Sequence, residues 1–426
     1  MKKYYLNKLT DLKQKELLIR KTIDNSFIKK SVEKIVSDVK ANGIEAVLKY
    51  ARKFDGFTSK NIFVTDEEYL ESEKNLSTEI KSAIKDAYKN IYKFHKKQLP
   101  RGYELETSSG VKCERKFIPI ENVGLYIPAG TAPLPSTMLM LGIPAQIAGC
   151  KRIIAASPAK EKIHPAILYA AKLCGVTEFV KLGGAQAISL LAYGDDKFEK
   201  VNKIFGPGNQ FVTAAKSLVS IDPTGCAIDM IAGPSELLVI ADANANPDFI
   251  AADLLSQAEH GSDSLVVLVT TDETLPKKVK QAITMQLKKL ARKKFASAAL
   301  KNSFCLIVDD IDKAFKFSND FAPEHLVINL KNAEQYKDKV VNAGSVFIGQ
   351  FSPESAGDYA SGTNHSLPTN GYARSFGGVC VEMFMKSVTF QTISKSGIKN
   401  LSKTIITLAE TEMLHAHAEA VKIRLK

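Results

Sequence analysis

The chain has no tryptophan, no closely paired cysteines and no long hydrophobic run, and the last two absences each exclude a class of protein. Its six cysteines are scattered without a Cys-x-x-Cys pair, which argues against a disulfide framework and against a cysteine-based zinc cluster. A membrane span needs about 18 consecutive apolar residues, and polar residues and prolines interrupt the longest candidate, residues 133–148. The N-terminus lacks the apolar core and cleavage site of a secretion signal. We therefore expect a cytoplasmic protein.

The excess of positive charge does not by itself indicate nucleic-acid binding. Lys and Arg outnumber Asp and Glu by 58 − 46 = 12, but the basic residues are spread along the chain instead of clustering in one stripe. Hydrophobic residues make up 45% and charged residues 24% of the sequence, as in an ordinary globular protein. We expect neither a nucleic acid nor a membrane as a partner.

The periodicity of apolar residues changes along the chain. Between residues 27 and 98, apolar stripes at helical spacing predict three or more helices. From Cys113 onward, short apolar runs that end in Gly, Pro or Ser alternate with helical stretches, which is typical of βα units with a parallel sheet. The predicted strands are 123–127, 152–156, 179–182, 203–205, 236–240, 265–269, 304–308, 325–328 and 345–348.

This rhythm predicts an α/β protein with two similar Rossmann-like parallel-sheet domains, one inserted in the other, and with small helical N- and C-terminal segments. The predicted parts are an N-terminal helical segment 1–25, a first α/β domain 26–127 and 237–375, an inserted second α/β domain 128–236, and a C-terminal segment 376–426 that ends in a helix.

Gln257 and His260 lie three residues apart near the end of a predicted helix, so both side chains project from one face. Such a pair can supply half of a metal site. A solvated helix cap is the alternative.

Glu324 and His325 open a predicted strand after Ala322-Pro323. A carboxylate next to an imidazole suits proton transfer. A satisfied pair at a strand start is the alternative.

The polar stretch 351–378 is too long for an idle connection and contains Asp358, Asn364 and His365. It could complete a metal or substrate site, or it could be an ordinary surface loop.

In the tail, Glu412 continues an apolar helical stripe, where a buried carboxylate would need a partner or a ligand. The alternative is a helix end that frays into solvent. On a straight helix, His415 lies about 60° from Glu412 and His417 about 140°.

Two glycine-rich turns are candidates for cofactor binding. Gly206-Pro207-Gly208-Asn209 and Gly183-Gly184-Ala185-Gln186 each join a predicted strand to a predicted helix. Such turns let backbone N–H groups approach a phosphate. Neither matches the Gly-x-Gly-x-x-Gly fingerprint, and ordinary tight turns are the alternative.

Taken in order, a series of motifs resembles that of the histidinol dehydrogenase family from about residue 120 to the C-terminus. The motifs are VGLYIPAGTAPLPSTMLMLGIPA, LGGAQAI, FGPGN, IDMIAGPSE, LLSQAEHG, APEHL, SAGDYASGTNHSLPT and E-x-L-x-x-H-A. The resemblance implies an oxidoreductase that uses NAD for the four-electron oxidation of L-histidinol to L-histidine through L-histidinal, the last steps of histidine biosynthesis.

The resemblance also implies a set of site residues. One zinc ion per subunit would be held by Gln257, His260, Asp358 and His417. Glu324 and His325 would be the catalytic acid/base pair. NAD would contact Tyr126, Gln186 and Asn209 on the side of the inserted domain, and the first domain would be the metal and substrate side. The substrate would contact Ser235, Gln257, His260, His325, Asp358, His365, Glu412 and His417.

The family resemblance further implies a homodimer in which the C-terminal segment crosses to the partner. Glu412 and His417 would then serve the other subunit's site. The nitrogen and oxygen ligands suit zinc, although manganese or cobalt would also fit.

Three alternatives stay open from the sequence. A related zinc and NAD dehydrogenase could act on another small hydroxy compound. A zinc hydrolase would not need the NAD residues. Within the dehydrogenase mechanism, Cys113 or Cys150 could trap the aldehyde as a thiohemiacetal.

Overall fold

The computed structural model describes residues 1–20, 26–59, 61–129, 132–230 and 233–426. Residues 21–25 of the predicted N-terminal segment lie outside the described residues. So do residues 130–131 and 231–232, which belong to two of the motifs quoted above.

Helices and strands alternate along most of the chain. The helices are α1 (Asp11–Leu18), α2 (Ser26–Asp55), α3 (Asp66–Asn75), α4 (Thr78–His95), α5 (Pro135–Ala148), α6 (Pro165–Leu173), α7 (Gly184–Tyr193), α8 (Gln210–Ile221), α9 (Pro247–Ala258), α10 (Leu275–Leu287), α11 (Lys293–Asn302), α12 (Ile311–Phe321), α13 (Glu354–Tyr359), α14 (Lys395–Thr411) and α15 (His415–Lys422). The strands are β1 (Lys2–Tyr5), β2 (Tyr103–Ser108), β3 (Val111–Pro119), β4 (Asn122–Tyr126), β5 (Arg152–Ala156), β6 (Glu178–Val180), β7 (Lys203–Phe205), β8 (Ala227–Ile228), β9 (Glu236–Ala241), β10 (Leu265–Thr270), β11 (Phe304–Ile307), β12 (His325–Asn329), β13 (Ser345–Ile348) and β14 (Met385–Ile393).

The chain forms two parallel sheets, which confirms the predicted α/β class. One sheet has six strands in the order β1-β11-β10-β9-β12-β13, and the other has five in the order β6-β5-β4-β7-β8. Central strands such as β9 are buried along their whole length, because helices cover both faces of each sheet. The five-stranded sheet spans residues 122–228, between β1 and β9 of the six-stranded sheet.

The packing differs from the predicted division at residues 26–127. Strand β4 hydrogen bonds to β5 and β7 in the five-stranded sheet, although these residues were assigned to the first domain. Helix α2 packs on α7 and α8, and α4 packs on α5, because their apolar stripes match the helices of the five-stranded sheet. The remaining boundaries stay a prediction.

Two strands lie in segments that were expected to be helical. The N-terminal strand β1 extends the six-stranded sheet beside β11. In the C-terminal segment, β14 pairs antiparallel with β3, and β3 pairs with β2, to form a third sheet. Among the described residues, no helix is long and apolar enough to cross a bilayer. The expected cytoplasmic location stays a prediction.

Candidate active site

The candidate residues gather between opposite edges of the two parallel sheets. Tyr126 ends β4, while Gln186 and Asn209 follow β6 and β7, so these three lie at the carboxyl edge of the five-stranded sheet. His325 opens β12 and Ser235 precedes β9, so these two lie at the amino edge of the six-stranded sheet. The topology therefore brings the two predicted halves of the site to facing edges.

Glu324 and His325 are held by backbone groups of the adjacent strand β9. The N–H of Glu236 donates to Glu324 Oε2 over 2.7 Å, and the carbonyl oxygen of Glu236 lies 3.1 Å from His325 Nδ1. Because a carbonyl oxygen only accepts, Nδ1 carries the proton in this contact. The neutral imidazole therefore presents Nε2 as its proton acceptor.

Burial and charge set the proton affinity of this pair. Both side chains are buried, and Glu324 Oε2 lies 3.5 Å from His325 Nδ1. Burial raises the pKa of Glu324. Burial disfavours the imidazolium form of His325, but the charges and hydrogen bond of the surrounding carboxylates outweigh it and raise the pKa of His325 to about 10. In the metal-free chain His325 therefore binds a second proton strongly, whereas a cation among these carboxylates would offset their charge and favour the neutral imidazole with Nε2 free.

Two carboxylates and an imidazole converge beside this pair. Donor atoms of His260, Glu354 and Asp358 all lie within 4.8 Å of one another. His260 Nε2 is 3.8 Å from Asp358 Oδ2, and His325 Nε2 is 3.9 Å from both Glu354 Oε1 and Asp358 Oδ1. Burial raises the pKa of Asp358, and burial with the charge of Asp358 raises the pKa of Glu354 to about 7. Such a concentration of buried negative charge favours a cation.

Gln257, in the last turn of α9, carries a further unsatisfied oxygen. Its Oε1 atom is buried and has no hydrogen-bond partner among the described residues. An unsatisfied buried carbonyl costs about 1–3 kcal/mol, so a ligand is the expected partner. Nitrogen and oxygen donors of this kind fit zinc. The donor chemistry of Gln257, His260 and Asp358 therefore suits the predicted zinc.

His365 connects the cluster of His260, Glu354 and Asp358 to the side of the site that faces the five-stranded sheet. Its Nδ1 donates to the carbonyl oxygen of Asp358 over 2.9 Å, which leaves Nε2 to accept from the Thr137 hydroxyl over 3.1 Å. Burial lowers the pKa of His365 to about 4. His365 is therefore neutral near pH 7 and links α5 to α13.

The three predicted NAD residues make hydrogen bonds that shape the βα turns. The Tyr126 hydroxyl accepts from Gly184 N–H over 3.0 Å, and Gln186 Nε2 donates to Asp55 Oδ2 over 3.0 Å. Asn209 caps α8 by accepting from two backbone N–H groups. In the FGPGN turn, a Cβ on Gly206 would meet the Tyr126 carbonyl oxygen at 2.2 Å, so only glycine fits.

A cleft lies between the two halves of the site. Gly206 and Pro207 line it from the turn after β7, whereas Ser235, Glu324 and His365 line it from the other side. A cofactor held at the glycine turn would therefore face the acid/base pair across one continuous space.

The C-terminal residues Glu412 and His417 are exposed in the single chain. Helix α14 ends at Thr411, and Met413 has a φ of +59°, so the chain reverses before α15 begins. The angular comparison made for a straight helix therefore does not apply here. Among the described residues, the cluster of His260, Glu354 and Asp358 includes neither side chain. Their predicted role in a partner's site stays a prediction.

Sequence reasoning missed Glu354 and Glu236. Glu354 lies four residues before Asp358 on α13, and its Oε2 accepts from Ser256 Oγ over 2.9 Å. Two carboxylates at this spacing share a helix face, so the signal was present in the sequence. The role of Glu236 depends on backbone contacts, which no sequence pattern reveals.

The cysteine alternative is not supported for Cys150. Its thiol donates to the Phe384 carbonyl oxygen over 3.8 Å, and burial raises its pKa to about 12. A nucleophilic cysteine needs a lowered pKa. Cys113 lies within β3 of the antiparallel sheet, outside the facing edges that hold the site.

Comparison with known proteins decides the family. The family model for histidinol dehydrogenase matches residues 18–425. The chain belongs to the histidinol dehydrogenase family. A histidinol dehydrogenase of Pseudoalteromonas translucida is 52% identical over 92% of this chain and 91% of its own length, and one of Bacteroides thetaiotaomicron is 50% identical over 96% of each.

A solved structure supports the same assignment. The crystal structure of histidinol dehydrogenase from Elizabethkingia anophelis matches with a TM-score of 0.94 and 48% identity, over 100% of this chain and 98% of that one. The predicted family, the α/β fold and the oxidoreductase class with NAD as the cofactor are thereby confirmed for this histidinol dehydrogenase family member.

Proposed function

We propose that the chain oxidises L-histidinol to L-histidine through L-histidinal, as the concluding steps of histidine biosynthesis. The single cleft that joins the FGPGN turn to Glu324 and His365 carries this proposal. An alcohol becomes an acid by losing four electrons, so two hydrides must leave the same carbon. A cleft with one proton-transfer pair suits two successive oxidations at one place.

We propose zinc as the resident metal, held by Gln257, His260 and Asp358 with His417 from a second copy of the chain. The orphaned Gln257 oxygen and the two buried carboxylates of the cluster support this choice. When bound, zinc would supply a Lewis acid that fixes the amino and imidazole nitrogens of the substrate. Manganese or cobalt would suit the same donors.

The remaining predicted contacts divide between substrate and cofactor. The substrate would touch residues from both copies: Ser235, Gln257, His260, His325, Asp358 and His365 of one, with Glu412 and His417 of the other. NAD, which accepts a hydride in each oxidation, would contact Tyr126, Gln186 and Asn209. A homodimer with shared sites is part of this proposal.

The proposed chemistry assigns a different proton to each member of the pair. His325 Nε2 takes the hydroxyl proton of the alcohol as the first hydride leaves its carbon. Glu324 then accepts a proton from water as the water oxygen attacks the aldehyde carbon. After releasing its first proton to solvent, His325 takes the hydroxyl proton of the resulting hydrate anion as the second hydride leaves, which gives the carboxylate. The balance is one water consumed, two hydrides transferred and three protons released for each alcohol oxidised to a carboxylate.

The substitution Glu324→Gln tests this division of labour. We expect it to spare oxidation of histidinol to the aldehyde while slowing oxidation of supplied histidinal by about 10²–10⁴-fold, since general-base catalysis contributes that much. The measurement is NADH formation in stopped flow from each substrate. Glu334→Gln, at an exposed glutamate, is the control. Equal loss of both half-reactions contradicts the assignment.

A further inference from the structure

The side chain of Arg20 bridges the two segments of chain that hold the proposed acid/base pair. Its guanidinium group contacts Glu236 twice, with 2.9 Å from Nε to Oε1 and 2.8 Å from Nη2 to Oε2. Nη2 also donates to the carbonyl oxygen of Ala322 over 3.3 Å, in the turn before β12. The guanidinium carbon lies 3.6 Å from the centre of the Phe321 ring. One N-terminal arginine therefore holds both the start of β9 and the end of α12.

The ion pair is shielded from solvent. The Arg20 side chain is 10% exposed and the Glu236 side chain 2%. A two-pronged arginine–carboxylate contact fixes geometry as well as charge. Removing one partner would leave a buried charge without compensation.

Glu236 passes this geometry to the site through its backbone. Its N–H donates to Glu324, and its carbonyl oxygen accepts a hydrogen bond from Nδ1 of His325. Its side-chain Oε1 also accepts from the N–H of Asn370, next to Thr369 of the cleft wall. A shift of Glu236 would therefore disturb Glu324, His325 and one wall of the cleft together.

We propose that Arg20 and Glu236 are positioning residues, whose ion pair sets the orientation of Glu324 and the tautomer of His325. The proposal rests on the acid/base roles proposed above for those two residues. A proton on Nδ1 leaves Nε2 free for the alcohol, so loss of the pair would misdirect the base without touching substrate or cofactor.

The substitution Arg20→Met tests the proposal in the full-length zinc-loaded enzyme. We expect kcat for histidinol oxidation to fall about 10–100-fold, the usual effect of removing a group that orients a site residue, with KM changed less than kcat. Arg20→Lys keeps the charge but not the two-pronged geometry, so it should recover only part of the rate.

Arg152→Met is the matched control. Arg152 makes the same two-pronged contact to Glu178, with 2.6 and 3.0 Å, at the amino end of the five-stranded sheet. It should lower Tm as an ion-pair loss does and leave kcat within about 3-fold of the parent. If Arg152→Met and Arg20→Met lower kcat equally, the positioning role is overturned.

Arg20→Met could fail to fold because Glu236 would be left buried and unpaired. The double variant Arg20→Met/Glu236→Met removes both charges and avoids that cost. We expect it to show the same loss of kcat. A double variant that keeps kcat within about 3-fold of the parent and also keeps the parent's His325 ¹⁵N signals overturns the proposal.

A second readout does not depend on turnover. The chain has only seven histidines, so side-chain ¹⁵N spectra resolve individual rings, and His325→Asn assigns the His325 signals by their disappearance. We expect Arg20→Met, but not Arg152→Met, to move the His325 nitrogens away from the Nδ1-protonated pattern. Unchanged signals overturn the positioning role. Moved signals with unchanged turnover support the positioning and overturn the acid/base role of the pair instead.

Discussion

At the scale of the residue, the site contains groups whose arrangement is unfavourable unless a cation is present. Gln257 buries a carbonyl oxygen with no hydrogen-bond partner among the described residues, and Glu354 does the same with Oε1. Asp358 lies beside Glu354, and burial raises its pKa. Polar groups of this kind are retained where they bind something, because they lower the stability of the empty protein.

The variant Gln257→Leu separates the effect of the buried oxygen on the stability of the metal-free protein from its effect on zinc binding. It removes the orphaned oxygen at similar volume, so the metal-free variant should be at least as stable as the parent, by up to about 1–3 kcal/mol. The parent should gain Tm when zinc is added, and the variant should lose most of that gain. Differential scanning calorimetry with and without zinc measures both.

Ser318→Ala is the control for this comparison. Ser318 on α12 also buries an oxygen without a partner among the described residues, but it lies outside the metal cluster. Its zinc-dependent rise in Tm should match that of the parent. A Gln257→Leu variant with the full zinc response would exclude Gln257 as a ligand.

At the scale of the element, His95 ties the end of α4 to the long polar segment. Its Nδ1 donates to the Ile91 carbonyl oxygen over 2.8 Å, and Asn364 Nδ2 donates to its Nε2 over 3.2 Å. Asn364 also donates to the Met140 carbonyl oxygen on α5. One neutral imidazole thus anchors the segment that carries His365.

This anchor predicts a pH-dependent stability. Burial lowers the pKa of His95, so as pH falls below about 6.5 the unfolded chain binds a proton that the folded chain does not. The free energy of unfolding should therefore decrease as the pH is lowered. His95→Gln should reduce this dependence on pH by up to about 1.4 kcal/mol per pH unit. Urea unfolding at about pH 7 and about pH 5.5 measures it. Equal slopes in variant and parent would contradict this account.

The predictable elements are those with a clear apolar pattern. The stripe Val32, Ile35, Val36 and Val39 is buried in α2, and the strand predicted at 203–205 has the same bounds in the structure. Buried parallel strands are short apolar runs, so they are visible in a single sequence. Strands β1 and β14 were missed because they carry polar residues and many exposed side chains.

The candidate site was likewise predictable from the sequence only in part. Motif resemblance placed Gln257, His260, Glu324, His325 and Asp358 in one series, and the structure links the last four through contacts of 3.5 to 3.9 Å. The break at Met413 was not predicted, because a left-handed methionine gives no sequence signal. Contacts between distant segments, such as Arg20 with Glu236, are set by the tertiary fold alone.

At the scale of the whole molecule, the chain encloses most of a site but leaves His260 45% exposed on its side chain. The proposed homodimer would complete the site with His417, which is exposed in the single chain. Sites shared across an isologous interface make each subunit's activity depend on its partner.

Mixing two inactive variants tests the shared site. His260→Asn and His417→Asn should each be inactive alone, and subunit exchange should restore activity. A mixed dimer has one site with both native residues, so random mixing should give about one quarter of the parent activity. The measurement is histidinol-dependent NADH formation after exchange in mild denaturant. No recovery, despite mass-spectrometric detection of mixed dimers, would show that His417 does not serve the partner's site.

The most direct test of the central claim is the number of NADH molecules formed per L-histidinol by the purified enzyme. The assay is run with added zinc, after chelation, and after zinc is restored. Two NADH per substrate, lost on chelation and recovered with zinc, is the predicted result. One NADH per substrate, or two that persist in the metal-free enzyme, would contradict a four-electron oxidation at a zinc site.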